Sequence, residues 1–265
     1  MKTLLLGFFI FFGSIVFSQS SLSTSEIYEV KYIKYFKIDD DQMHQHFRNM
    51  DPTVKQRNID VFTEISEFRL FSSSMEAEYH NIGKINNSQS TSDQIQSHGN
   101  QVTFANNDAL LLYRNLIENY TLRPGERRTF VKDSLMEFTW NTNHSETQEI
   151  LGFSARKATT EGMEPNTEVV AWYAEDIPMS HGPENYWGLP GLILKIDVLV
   201  YDNRGLASFI DSYHFEAVEI QTLDDYKMIN VDSRNIISVE KHQEIQAKRQ
   251  RKLREFNSSG VERMD

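Results

Sequence analysis

The stretch Ala171 to Val200, AWYAEDIPMSHGPENYWGLPGLILKIDVLV, constrains the fold more than any other part of this chain. At its centre, Gly188, Leu189, Pro190 and Gly191 read as a structural turn that feeds a long apolar strand. Pro190 fixes its own φ and biases Leu189 toward extended backbone. A Pro-Gly pair suits the two middle positions of a type II turn, whose second residue needs positive φ, so Gly191 is expected to have φ above zero. Beyond the turn, Leu192, Leu194, Ile196, Val198 and Val200 alternate onto one face. Ile193, Lys195, Asp197, Leu199 and Tyr201 form a mixed opposite face. That is the pattern of a strand with one side in a core.

The same period of two recurs along the chain. Tyr28, Val30, Tyr32, Phe36 and Ile38 share a face in Glu26–Ile38, interrupted by Lys34. Further strands are expected at Val61–Phe71, Met75–Ile82, Gln101–Phe104, Leu110–Leu116, Arg128–Lys132, Leu135–Thr142, Gln148–Ala158 and Glu168–Ala174. Asp202-Asn203-Arg204-Gly205 is a turn that should fold Leu206–Ile220 back on Leu192–Tyr201 as a hairpin. Gln42–Ile59 is polar and irregular, with Pro52 at a plausible helix start. Asn86–Asn100 has the composition of an exposed loop. Helical character and dense charge arrive only at Val239–Phe256. The fold class that follows is mostly β and antiparallel, with a short helical segment and a C-terminal helix.

Three segments carry a family resemblance. Gly188–Leu194, GLPGLIL, resembles the signature of the GLPGLI family, secreted bacterial proteins of uncharacterised function. Ile150, Gly152, Phe153, Lys157 and Ala158 are similar to a second family segment. Ala171-Trp172-Tyr173, Ile177-Pro178 and Gly182-Pro183 are similar to a third. Ala155 stands where many members have cysteine. The resemblance implies a β-bowl or open half-barrel like that of bacterial lipoprotein carriers and of a domain in some secreted glycosidases. It supplies no catalytic residue.

Residues 1–18 read as a signal peptide: Lys2 precedes an apolar run from Leu4 to Phe17, and Val16 and Ser18 suit cleavage after Ser18. The run is shorter than the roughly 20 residues of a spanning helix. The expected organisation is therefore a leader over 1–18, a single β domain over 19–238, and a charged helix and tail over 239–265. The expected location is periplasmic or secreted, with no transmembrane segment in the mature protein. A net charge of −11 argues against a nucleic-acid partner. Cysteine is absent, so disulfides and thiolate metal sites are excluded.

No catalytic motif survives inspection, and no cofactor or metal site is expected. His44 and His46 could share an ion only in a strand, and their neighbours do not read as strand. Ser180 and His181 are adjacent, so in extended backbone they point apart and form no dyad. The connection 175–187 is stiffened by Pro178 and Pro183. With the adjoining strand ends it presents Tyr173, Asp176, His181, Tyr186 and Trp187 as the candidate ligand-binding residues. The alternative is that this loop plugs one end of the bowl. The function expected is non-catalytic binding in the cell envelope, of an apolar or peptide-like ligand or of an outer-membrane partner. A hydrolase with a site assembled from distant residues and a metal-handling accessory protein stay open as alternatives.

Overall fold

The computed structural model describes residues 26–37, 40–83, 102–103, 109–202, 205, 208 and 212–259. The expected leader, the expected loop at Asn86–Asn100 and the residues after 259 lie outside them. The protein is mostly β, and its strands form one open sheet of 13.

Strand β1 (Ile27–Tyr35) is the spine. It pairs antiparallel with β2 (Ser66–Ser72) on one side and with β12 (Tyr213–Leu223) on the other. A first wing runs outward from β2 through β3 (Glu76–Asn81), β5 (Ala109–Asn115), β6 (Tyr120–Pro124) and β7 (Phe130–Ser134). The short β4 (Val102–Thr103) pairs beside β5. The chain then crosses to the opposite edge. It returns inward through β8 (Thr147–Ile150), β9 (Phe153–Glu161), β10 (Thr167–Ala174) and β11 (Leu192–Val200) to β12. A second crossing leads to β13 (Ile236–Ser238), which pairs parallel with β7, and to helix α3 (Val239–Ser259).

Alternation gives the sheet two differently covered faces. The inner face holds one large core drawn from both wings, including Val30, Tyr32, Leu70, Tyr79, Ala171, Ile196 and Phe215. On the outer face of the first wing, Leu110, Tyr113, Leu122 and Phe130 pack against Ile229, Val231 and Ile236 of the second crossing. That crossing is tied down at Glu78, a buried carboxylate that accepts from the Tyr226 hydroxyl at 2.6 Å and from the Ile229 amide. Between β1 and β2 sit α1 (Asp40–His46) and α2 (Pro52–Thr63). Asp51 caps α2 by accepting from the Thr53 and Val54 amides, and Pro52 occupies its first turn.

Several expectations need correction. Val61–Thr63 is helical, because the capped α2 runs through it before β2 begins. Strand β6 is an addition to the expected strands; Asn119, at φ 56, turns the chain into it from β5. Leu135–Thr142 joins no ladder and touches the sheet through one bridge, Asn141 to Thr159. Gln148–Ala158 is two strands. Leu151 and Gly152 both have positive φ, 52° and 83°, which is the two-residue hairpin geometry. The hairpin of β11 and β12 forms; among the described residues its ladder joins Tyr213–Glu216 to Lys195–Val198, and β12 continues to Leu223 alongside β1. Residues 203–204, 206–207 and 209–211 lie outside the described part. His44 and His46 are on α1, so their rings do not share a face, and no metal-ligating group of three occurs among the described residues.

Gly191 does not have positive φ; Gly188 does, at 93°. Glycine is required at 191 for a different reason. A Cβ there would lie 2.1 Å from the Ala174 carbonyl oxygen and 2.9 Å from the Glu175 nitrogen. The end of β10 and the start of β11 approach so closely that only a hydrogen fits.

Candidate functional site

The loop 175–191 leaves β10 and re-enters the sheet at β11, and its own backbone bonds press it onto the inner face. The Leu192 amide donates to Ile177 O and the Ile193 amide to His181 O, each at 3.0 Å. The Gly188 amide donates to Ser180 O, and the Ser180 hydroxyl to Leu189 O at 2.8 Å. Ser180 is thereby engaged structurally and forms no nucleophile with His181. Ile177, Met179 and Leu189 are buried beneath the loop.

The candidate residues separate into two sets. Tyr173, His181 and Tyr186 are buried. Asp176 is exposed, and Trp187 lies at the rim, partly covered. Of the buried three, Tyr173 turns its hydroxyl to Glu175 Oε1 at 3.4 Å, while His181 and Tyr186 belong to a polar cluster whose other members come from distant strands. Arg114 on β5 is 2% exposed, and its Nη2 donates to Glu184 O at 2.7 Å. Its Nη1 lies 3.3 Å from His181 Nδ1. A guanidinium only donates, so Nδ1 is the acceptor and the imidazole hydrogen sits on Nε2. Burial, then the adjacent Arg114 charge, holds the His181 pKa well below the usual imidazole value. Burial lowers Arg114 to about 9, against the raising influence of Tyr32.

Around this pair the hydroxyls and charges are turned inward. Tyr32 donates to Ile193 O at 2.5 Å, and Tyr186 hydrogen-bonds Tyr213. Lys34 reaches Glu184 Oε1 at 3.0 Å and lies 4.1 Å above the Tyr213 ring. Burial raises the Tyr79 hydroxyl well above the usual phenol value. The hydroxyl of Tyr79, Nε of Arg114 and Nε2 of His181 are buried with no hydrogen-bond partner. No nucleophile stands beside His181, and its one lone pair faces a cation. The cluster is built to seal and orient the loop, not to exchange protons with a substrate.

The rim is different. The crossing segment after β7 lies against the loop, and each of two indoles donates to the other segment's backbone. Trp140 Nε1 donates to Trp187 O at 2.8 Å, and Trp187 Nε1 to Met136 O at 2.5 Å. Phe138 sits 5.6 Å from Trp140 and 5.4 Å from Tyr186, between ring centroids. Phe138, Trp140 and Trp187 remain partly exposed, with Met136 exposed beside them. The result is an aromatic ledge with both polar indole atoms already engaged, leaving apolar surface outward.

Sequence reading brought Trp187, Tyr186 and His181 to this region and missed Arg114, Lys34, Tyr213, Phe138 and Trp140. Two signals were present. Arg114 is the one charge in the apolar run Leu110–Leu116, and Met136, Phe138 and Trp140 recur at every second residue.

Residues 116–195 match the model of a family described as a protein of unknown function, Porph_ging. No curated protein matches the chain. Among solved structures, PNGF-II in two crystal forms is similar at 17% identity with a TM-score of 0.49, over 83% of this chain. The chain spans 32% of PNGF-II in one form and 33% in the other. A LolA superfamily protein, NE2245 from Nitrosomonas europaea, is similar at 8% identity with a TM-score of 0.29, over 77% of this chain and 87% of its own. No helix among the described residues is long and apolar enough to cross a membrane.

Proposed function

We propose that the matched region, which holds Gly188–Leu194, marks this chain as a member of the GLPGLI family, exported to the periplasm or beyond by its leader at residues 1–18. Residues 19–238 act as one β unit with the charged helix appended. The function is non-catalytic capture of an apolar or peptide-like ligand, or of the corresponding segment of an outer-membrane partner. The observation that carries this reading is the ledge of Phe138, Trp140 and Trp187, held rigid by two crossed indole hydrogen bonds. Rigid aromatic surface loses little entropy when it is covered, so its apolar area is available for affinity. Tyr173, His181 and Tyr186 serve the ligand indirectly, as the base on which Trp187 is mounted, and Asp176 lies at the exposed edge.

The experiment pairs stability with capture. Trp187 is partly covered, so Trp187→Ala is expected to cost about 1–2 kcal/mol, less than the ~3–5 kcal/mol of a core tryptophan. It should weaken saturable binding of N-phenyl-1-naphthylamine, or of a blocked Phe-Leu-Phe peptide, at least tenfold. Unchanged binding would remove the ledge from the function. Turnover of an ester or peptide by the wild type, lost in Asp176→Asn with the fold intact, would replace binding by catalysis.

A further inference from the structure

The outer face of the second wing carries a row of side chains that the ledge does not use. Antiparallel register sets Val170 opposite Asp197, Asp197 opposite His214, and His214 opposite Tyr35, on four neighbouring strands. Side chains alternate along each strand, so these four leave the face opposite the core residues Ala171, Ile196 and Phe215. With Lys37, Lys195 and Leu199 they line a groove of about 460 Å³. That size is within the usual range for small-molecule sites.

The row is built around His214, which is 7% exposed. Its Nδ1 lies 2.6 Å from Asp197 Oδ1, and the Tyr35 ring stacks on it at 5.3 Å between centroids. Tyr35 is itself fixed by donating to Glu216 Oε2 at 3.1 Å. With Nδ1 facing the carboxylate, Nε2 is the nitrogen left over, and it makes no hydrogen bond among the described residues. Nε2 is not one of the buried unpartnered atoms, so it opens to the groove that His214 lines, where a polar group of a ligand can reach it. The charges agree on its sign. Asp197 is turned to His214 and Glu216 to Tyr35. Lys37 and Lys195 have no ion-pair or hydrogen-bond partner among the described residues, on a chain of net charge −11.

We infer that this groove binds a small organic anion, a phosphate monoester or a carboxylate carried on a compact apolar body. Lys37 and Lys195 meet the charge. In the neutral ring, with the Nδ1 hydrogen given to Asp197, Nε2 accepts the directed hydrogen bond, which a hydrogen phosphate can donate; toward a fully ionised phosphate or carboxylate it donates as the imidazolium, in which both nitrogens carry hydrogen. Val170, Leu199 and the Tyr35 ring cover the apolar body.

Calorimetric titration of the full chain with phenyl phosphate, benzoate, inorganic phosphate and benzyl alcohol tests this. At least one of the two aromatic anions should bind saturably, and which binds more tightly identifies the head group. Inorganic phosphate should bind at least tenfold more weakly than phenyl phosphate, because it leaves the apolar wall uncovered, and benzyl alcohol should not saturate. The double variant Lys37→Gln, Lys195→Gln alters two side chains that have no hydrogen-bond or ion-pair partner among the described residues. It should melt like wild type and bind at least tenfold more weakly, and His214→Gln should also weaken binding. Absence of saturable binding by both aromatic anions, equal binding of benzyl alcohol, or unchanged affinity in either variant overturns the inference. Trp187→Ala should leave this binding unaltered, so failure of the ledge and failure of the groove are told apart.

Discussion

His181 and His214 are both almost wholly buried on the same wing of one sheet, yet they occupy opposite kinds of site. His181 lies on the inner face beneath the 175–191 loop, with Nδ1 toward the Arg114 guanidinium. His214 lies on the outer face, with Nδ1 toward the Asp197 carboxylate and a groove in front of it. A cation neighbour and a sealed cover leave an imidazole only a packing role. A carboxylate neighbour and an open side leave its second nitrogen available to a ligand. Residue type and burial are common to the two; the sign of the neighbouring charge and the cover are what differ.

The largest effect is expected at the seam of the sealed side. In Gly191→Val the new Cβ would meet the Ala174 carbonyl oxygen at 2.1 Å and its carbon at 2.6 Å. These are backbone atoms and cannot rotate away, so the loss should exceed the ~1–3 kcal/mol of ordinary overpacking. Gly188→Val is the control. Its φ is 93°, but the nearest atom to its Cβ is Trp140 Nε1 at 3.7 Å, so only backbone strain of about 1–3 kcal/mol is expected. Urea denaturation of the two variants compares them directly. Equal losses would mean that the loop does not depend on this close approach.

A smaller effect is expected at Arg114. Arg114→Ala leaves a cavity, an unpaired Glu184 carbonyl and an imidazole without its donor, for about 2–4 kcal/mol. Lys195→Ala on the open side removes a side chain with no hydrogen-bond or ion-pair partner among the described residues and should stay within about 0.5 kcal/mol of wild type. If the two cost the same, the sealed and open descriptions do not separate.

How much of this was legible depends on the range of the interaction that decided each element. The alternation of Leu192–Val200 and of Tyr28–Tyr32 is local, and both strands stand where it put them. The start of α2 at Pro52 was equally local. Leu151-Gly152 was missed because an apolar residue at positive φ does not advertise a turn. Met136, Phe138 and Trp140 have the period of a strand, yet their pairing groups meet the 175–191 loop rather than a neighbouring strand. No local rule distinguishes those partners. Gly191 shows the limit most sharply: its necessity was readable from the Pro-Gly pair, whereas its cause, contact with Ala174 some 17 residues earlier, was not. The row of Val170, Asp197, His214 and Tyr35 needed the register of four strands, and β1 is far from the others in sequence.

The smallest and most specific effect is expected from acid. Burial, and then Arg114, depresses the His181 pKa well below the ordinary imidazole value of about 6.5. The native state therefore holds this ring neutral, while the unfolded chain takes up a proton as pH falls through about 6.5. Below that pH the unfolded state binds the extra proton, so stability rises with pH there. The contribution is fully present above 6.5 and is lost on acidification at about 1.4 kcal/mol per pH unit, until the native pKa is reached. His181→Gln isolates this term. The amide keeps an oxygen for the Arg114 donor but has no proton to take up, and the other seven of the eight histidines are the same in both proteins. Urea unfolding between pH 7.5 and 5 should therefore show a shallower acid loss in the variant, by about one proton per molecule. Carboxylates titrate mostly below this window and contribute equally to both curves. Parallel curves would mean that His181 is protonated in the native state as readily as in the unfolded one. That would require water or an anion beside it, and the inner face could then no longer be described as sealed.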